Sequence, residues 1–297
     1  MASAATLARN LDEHARYHNG NWHCACPLGC GYDVSLRDAD DKLLACCFGG
    51  CEFHEIENAL VEFGLYDDDT FEASHSVPGH QPDPRDRELK MDHARRLYEA
   101  SVEDALVAVY LRSRDLAITS PVLRFLLQAS HRIGVRLPAM IAPVTGVEGA
   151  VTGVHLTYLK ADGSGLAFTK PDKTKGERDL RRQCEGVIAG GSIRLAPHNP
   201  DQELIIAEGV ETTLAAMEWH RLPGWSAVYA GGLKTAQIPS EIRRILIVAD
   251  HDESGCSQRN AVTASQRWKA EGRTVRIWMP DTLGDDANSF LIKKRRA

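Results

Sequence analysis

Nowhere do eighteen apolar residues follow one another in these 297 residues, and the opening MASAATLARNLDEHARYHNG has no basic region followed by an apolar stretch. A membrane-spanning helix needs about 20 mostly apolar residues, and a secretory leader needs that basic-then-apolar order. The sequence therefore predicts neither, and places the chain in the cytoplasm. An excess of positive charge is missing too: 35 Lys and Arg stand against 41 Asp and Glu, for a net charge of -6. That balance is the reverse of an indiscriminate nucleic-acid coat and confines phosphate contacts to local patches. There is no P-loop pattern.

Outside one short window cysteine is scarce, because six of the eight lie between Cys24 and Cys51. Within that window Cys26 and Cys30 form one C-x3-C pair, and Cys47 and Cys51 form a second after a gap of sixteen residues. Tetrahedral zinc takes four soft ligands, and two short-spaced thiol pairs supply them while closing a domain too small for a large core. Between the pairs, YDVSLRDADDKLLA alternates as a hairpin does. A reducing compartment disfavours the disulfide alternative. His23, Cys24 and Cys46 are near enough to replace a neighbouring ligand.

The sequence divides into a zinc-binding head over 1–66, a linker over 67–88, an α+β segment over 89–200 and an α/β segment over 201–297. The linker is acidic, Pro-bearing and poor in large apolar residues, so it cannot bury enough surface to order itself. Beyond it, LKMDHARRLYEAS and VEDALVAVYLRSR carry apolar residues at helical intervals, and PAMIAPVTG, AVTGVHLTYL and GLAFTK suggest strands. From Glu203, the runs ELIIA, WSAVYA, RRILIVAD and TVRIWM alternate with helical stretches, the pattern of buried parallel strands with crossover helices. Gly272 is placed to end the last long helix.

Glu208 follows ELIIA, and Asp250 and Asp252 follow RRILIVA. All three then lie at the C-terminal edge of a parallel sheet, where open α/β sheets bind ligands. Such acids repel one another unless cations neutralise them, so Mg2+ or Mn2+ is the natural occupant. Asp286 is a further candidate ligand for that metal, with Glu211 and Asn288 as outer members. Singly, acids at strand ends more often cap helices or stay solvated. Lys170, Lys173, Lys175, Arg178, Arg181 and Arg182 crowd into thirteen residues. The first four of these, with Arg194 and Lys234, are candidate contacts to nucleotide or nucleic-acid phosphates. The basic run Lys293 to Arg296 reads equally well as a solubilising tail.

Glu208-Gly209 followed by Asp250-His251-Asp252-Glu253-Ser254-Gly255 resembles the Toprim signature. The strings EGVETTLAA, AGGLKT, VADHDESG and GDDANSFL are similar to the Toprim module of DnaG-type primases carried by phages, plasmids and integrative elements. Cys47-Phe-Gly-Gly-Cys51 resembles the second half of their zinc finger, and HLTYL and GGSIRL resemble motifs just upstream of their Toprim module. Two positions depart from the pattern: Gly29 stands where a histidine is common, and Ser289 where an acid is common. The resemblance implies a Rossmann-like parallel Toprim sheet preceded by an α+β subdomain and a small zinc ribbon. It implies catalysis by Glu208, Asp250 and Asp252 with Mg2+ or Mn2+, structural Zn2+, and RNA primer synthesis from nucleoside triphosphates on single-stranded DNA, beside a separate helicase. A metal-dependent Toprim nuclease and a non-catalytic zinc adaptor of a replication complex are the alternatives.

Overall fold

The computed structural model describes residues 3–18, 20–27, 33–39, 42–47, 53–62, 65, 84–169, 179–198, 200–229, 231–253 and 255–296. The chain forms two compact units, one of residues 1–82 and 171–179, the other of 83–170 and 180–297.

In the first unit, α1 (Ala4–Leu11) precedes β1 (Arg16–His18), β2 (Asn21–Ala25), β3 (Asp33–Ala39) and β4 (Lys42–Cys47), and α2 (Phe53–Glu62) follows. The four strands pair antiparallel in chain order. The β3–β4 hairpin matches the alternation of its sequence, with Val34 and Leu36 buried between partly exposed neighbours. The N-terminal helix was not legible in the sequence. Its Ser3 side chain caps Thr6 N–H, and its buried Ala4, Leu7 and Ala8 share a core with Val34, Leu36, Ile56 and Leu60.

The second unit opens with α3 (Pro84–Glu99) and α4 (Ala105–Ser113). Most of the stretch read as a linker lies outside the described residues, but its last five residues are helical. Proline at the first helical position explains why, since its fixed φ suits that position and its missing N–H would have had no helical partner. An antiparallel sheet follows: β5 (Arg124–Ser130), β6 (Arg136–Thr145), β7 (Val151–Tyr158) and β8 (Arg182–Gly186), paired in that order. Of GLAFTK, the described residues 165–169 do not form a strand. Leu166 makes one isolated bridge to Leu159, after a turn in which Gly163 takes φ +69°.

The remaining elements are β9 (Ile193–Arg194), β10 (Leu204–Ala207), α5 (Val210–His220), β11 (Gly224–Ser226), α6 (Gly232–Thr235), β12 (Arg244–Val248), α7 (Cys256–Ala270), β13 (Thr274–Trp278) and α8 (Ala287–Arg296). The sheet order is β13-β12-β10-β11-β9, parallel except for β9 at one edge. This is the α/β sheet that the sequence predicts.

Both faces of this sheet are covered, which is why its central strands read as unbroken apolar runs. Ile205, Ala207, Leu246 and Val248 share a core with Val210 and Leu214 of α5 and with Tyr110, Phe125 and Met140 of the preceding segment. Leu204, Ile206, Ile245 and Ile247 pack instead with Ala261, Ala264 and Trp268 of α7. One core therefore runs from the antiparallel segment into the parallel sheet. α7 ends as its sequence predicts: Gly272 sits at φ +82°, Gly272 N–H donates to Lys269 O at 3.0 Å, and Arg273 N–H donates to Trp268 O at 3.1 Å. Among the described residues no helix is long and apolar enough to cross a membrane.

Candidate active site

β10 and β12 are adjacent and parallel, with Ala207 opposite Val248. Both chains leave the sheet at the same edge, so Glu208 and Asp250 emerge side by side at its C-terminal end. Glu208 is fixed through its backbone, whose carbonyl accepts the Ser226 hydroxyl at 2.7 Å. Asp250 is fixed the same way, its N–H donating to Ser257 Oγ at 3.0 Å. The carboxylates are less satisfied: Glu208 Oε1 and Asp250 Oδ1 are buried and lack a hydrogen-bond partner among the described residues.

Two buried, incompletely satisfied carboxylates resist ionising together. Burial pushes the Glu208 carboxyl up to about 7, with Asp252 adding to the rise and a hydrogen bond from Ser257 opposing it. Asp250 lies well above the usual carboxylate range, through burial first and then the charges of Glu208, Asp286 and Asp252. The four acids thus act on one another electrostatically. Among the described residues, however, no three His, Cys, Asp or Glu side chains stand in a ready-made cage for a metal ion.

Asp252 faces the first turn of α7. Its Oδ2 accepts the Ser257 N–H at 2.8 Å and its Oδ1 the Cys256 N–H at 3.2 Å. The carboxylate therefore sits at the positive end of the helix dipole. Asp286 caps α8 with Ser289 in a reciprocal pair, Oδ1 accepting the Ser289 N–H at 2.7 Å and the Asp286 N–H donating to Ser289 Oγ at 2.9 Å. Ser289 closes this capping box in place of an acid.

Several other residues read as site members are committed elsewhere. Glu211 is buried, with Oε1 accepting the Tyr110 hydroxyl at 2.6 Å and pairing with Arg182 at 2.8 Å. Asn288 is tied to Arg114, donating to its carbonyl at 2.9 Å. Arg194 donates to the carbonyls of Gly146 at 2.7 Å and Val147 at 3.0 Å, with its guanidinium over the Trp225 ring at 4.4 Å. It lines a cavity of about 400 Å3 with Trp225, His198 and Glu241, beside residues that precede β12, hence toward the N-terminal edge of the sheet and away from the acids. Arg194 therefore holds the β6–β7 turn. Lys234 lies on α6, and Lys170, Lys173, Lys175 and Arg178 lie outside the described residues. The sequence reading missed Ser257, which hydrogen-bonds both Asp250 and Asp252.

In the head, Cys24, Val34 and Cys47 stand opposite one another across β2, β3 and β4, and Cys26 lies one residue past the end of β2. Cys26 and Cys47 are thus brought to the same end of the sheet, both buried in its core. Cys30 and Cys51 lie outside the described residues. Cys24 belongs to the core: burial, with Asp12 and Asp33 nearby, pushes its thiol up to about 12.

Residues 203–297 match the family described as the Toprim domain, and residues 88–195 match one described as a domain of unknown function, DUF7146. No curated protein matches the sequence. Among solved structures, the chain is similar to the zinc-binding and RNA polymerase domains of the Aquifex aeolicus primase, at 13% identity over 100% of this chain and 85% of that one, with a TM-score of 0.42. A DNA primase domain from Pseudomonas aeruginosa is similar at 16% identity over 69% of this chain and 74% of its own, with a TM-score of 0.42. The primase fragment of the bacteriophage T7 primase-helicase protein is similar at 15% identity and a TM-score of 0.36, over 53% of this chain and 59% of the fragment.

Proposed function

With a Toprim domain at residues 203–297 as the premise, we propose that this chain is a DNA primase that joins nucleotides on single-stranded DNA with the help of a divalent metal. The reading rests on one observation above the others: Glu208 and Asp250 emerge from adjacent parallel strands, each with a buried carboxylate oxygen lacking a partner among the described residues. Buried, unpaired acids are costly in a fold unless something charged meets them. Their oxygen donors suit Mg2+ or Mn2+, which Glu208, Asp250 and Asp252 would hold, with Asp286 adding charge nearby. Such a metal, when bound, supplies Lewis-acid polarisation of a phosphoryl group and neutralises developing charge.

The chain's own residues do the rest. Glu208, with a carboxyl near 7, is poised to accept the proton of an attacking 3′-hydroxyl. Asp252, held at the start of α7, keeps its charge directed toward the same edge. The stretch from Lys170 to Arg178 supplies the positive charge that tracks template phosphates, which the net charge of -6 cannot do globally. Synthesis of RNA rather than DNA, reliance on a separate helicase, a mobile-element origin and a cytoplasmic site of action belong to the same proposal, as does the division at 66, 88 and 200.

Incubation with single-stranded DNA, labelled ribonucleotides and Mg2+ is expected to yield new oligonucleotides. Shortened template without new product would establish the nuclease instead, and neither outcome would leave the adaptor. For the head we propose Zn2+ on Cys26, Cys30, Cys47 and Cys51, supported by their spacing and by the placement of Cys26 and Cys47 at one end of the sheet. One zinc per chain is expected in freshly purified protein. Cys47→Ser or Cys51→Ser should remove it and impair template use more than folding of the Toprim domain, because one lost thiolate opens a closed tetrahedral site. Metal analysis that finds no zinc would refute this assignment.

A further inference from the structure

The loop of the acids is organised around a residue that no motif marks. Ser257 lies at the second position of α7 and is 2% exposed. Its backbone N–H donates to Asp252 Oδ2 at 2.8 Å, and its Oγ accepts the Asp250 N–H at 3.0 Å. One residue thus joins the end of β12 to the first turn of α7, and it holds two of the three acids on which the proposed function rests.

We infer that Ser257 is a positioning residue that sets the spacing of Asp250 and Asp252 for a divalent cation. The chemistry of a hydroxyl is what allows this, since it donates one hydrogen bond and accepts others at once. A lone pair receives the amide that fixes the Asp250 backbone. Alanine would keep the Ser257 N–H bond to Asp252 but leave the Asp250 amide without its partner. Asp250 would then be free to turn away, and Asp252 would stay where it is. A role confined to starting the helix would make no such distinction, because the first turn of α7 is already held by Asp252.

This inference rests on the metal-binding reading of the acids, so its test separates the two. Mn2+ binding to the full-length protein is measured by calorimetry for wild type, Asp250→Asn, Ser257→Ala and Ser257→Thr, with thermal melting of each. Wild type is expected to bind Mn2+ and Asp250→Asn to lose it. Ser257→Ala should bind at least tenfold more weakly with a cooperative melt retained, and Ser257→Thr, which keeps the hydroxyl, should recover most of the affinity. If Ser257→Ala binds Mn2+ as wild type does, the positioning role is overturned while the reading of the acids stands. Equal weakening by alanine and threonine would also overturn it, since the hydroxyl would then not be the cause. Absence of Mn2+ binding in the wild type would remove both.

Discussion

Asp250→Asn and Glu208→Gln are each expected to abolish primer synthesis, and to make the metal-free protein more stable at pH 8. An amide keeps the volume of the carboxylate and removes the charge that would hold a divalent cation, so the chemical loss far exceeds any packing change. The stability gain follows from the direction of the pKa changes. Glu208 has its folded carboxyl raised to about 7 from 4.5. The folded state therefore holds a proton that the unfolded chain has lost, and stability falls as pH rises from about 4.5 to 7. Once the group is ionised, that difference amounts to about 3 kcal/mol, which glutamine removes. Asp250 is raised in the same sense.

Asp252→Asn should also end synthesis, but its effect on stability has the opposite sign. Its carboxylate accepts two N–H groups at the start of α7, and loss of a favourable end charge costs about 0.5–1 kcal/mol. Melting at pH 5.5 and pH 8 without metal, beside a primer assay over a Mg2+ titration, reads all three variants. Near-normal synthesis by Asp250→Asn at low Mg2+ would remove the metal site from this account. A melt of Glu208→Gln that matches wild type at pH 8 would remove the buried, repelling pair.

The parallel sheet was legible because burial on both faces leaves its mark on every residue of LIIA and ILIV, and because helices of ordinary length separate these runs. The acids were legible for a related reason: they stand at the ends of those runs. What their side chains do was not. Asp252 and Asp286 bind backbone amides at helix starts, a local outcome that a motif cannot separate from metal binding. The partners that hold Glu211 and Arg194 were not legible, because they lie 29 to 101 residues away in sequence. β5 and β8 went unread since half their residues are partly exposed and neither alternates cleanly. Ser257 carried no signal, its importance arising only where the end of β12 meets α7.

Glu211→Ala is expected to cost the fold about 3–5 kcal/mol, the effect of removing one partner from a buried ion pair. Burial alone would raise the Glu211 carboxyl, but the Arg182 charge and the hydrogen bonds from Tyr110 and Arg182 overcome it and hold the group down to about 2. Tyr110 comes from α4, Arg182 from β8 and Glu211 from the first turn of α5, three residues after Glu208. The cluster therefore locks the antiparallel segment to the parallel sheet beside the acids. Because the folded pKa is depressed, this contribution is complete above about pH 5 and fades as pH falls toward 2. Alanine leaves Arg182 charged without its partner, so the double variant Arg182→Met with Glu211→Leu should lose less than Glu211→Ala alone. Urea unfolding at pH 7 and pH 3 measures each step: the gap between wild type and Glu211→Ala should shrink at the lower pH. A gap under about 0.5 kcal/mol at pH 7, the range of ordinary surface substitutions, would show that the cluster does not hold the two segments together.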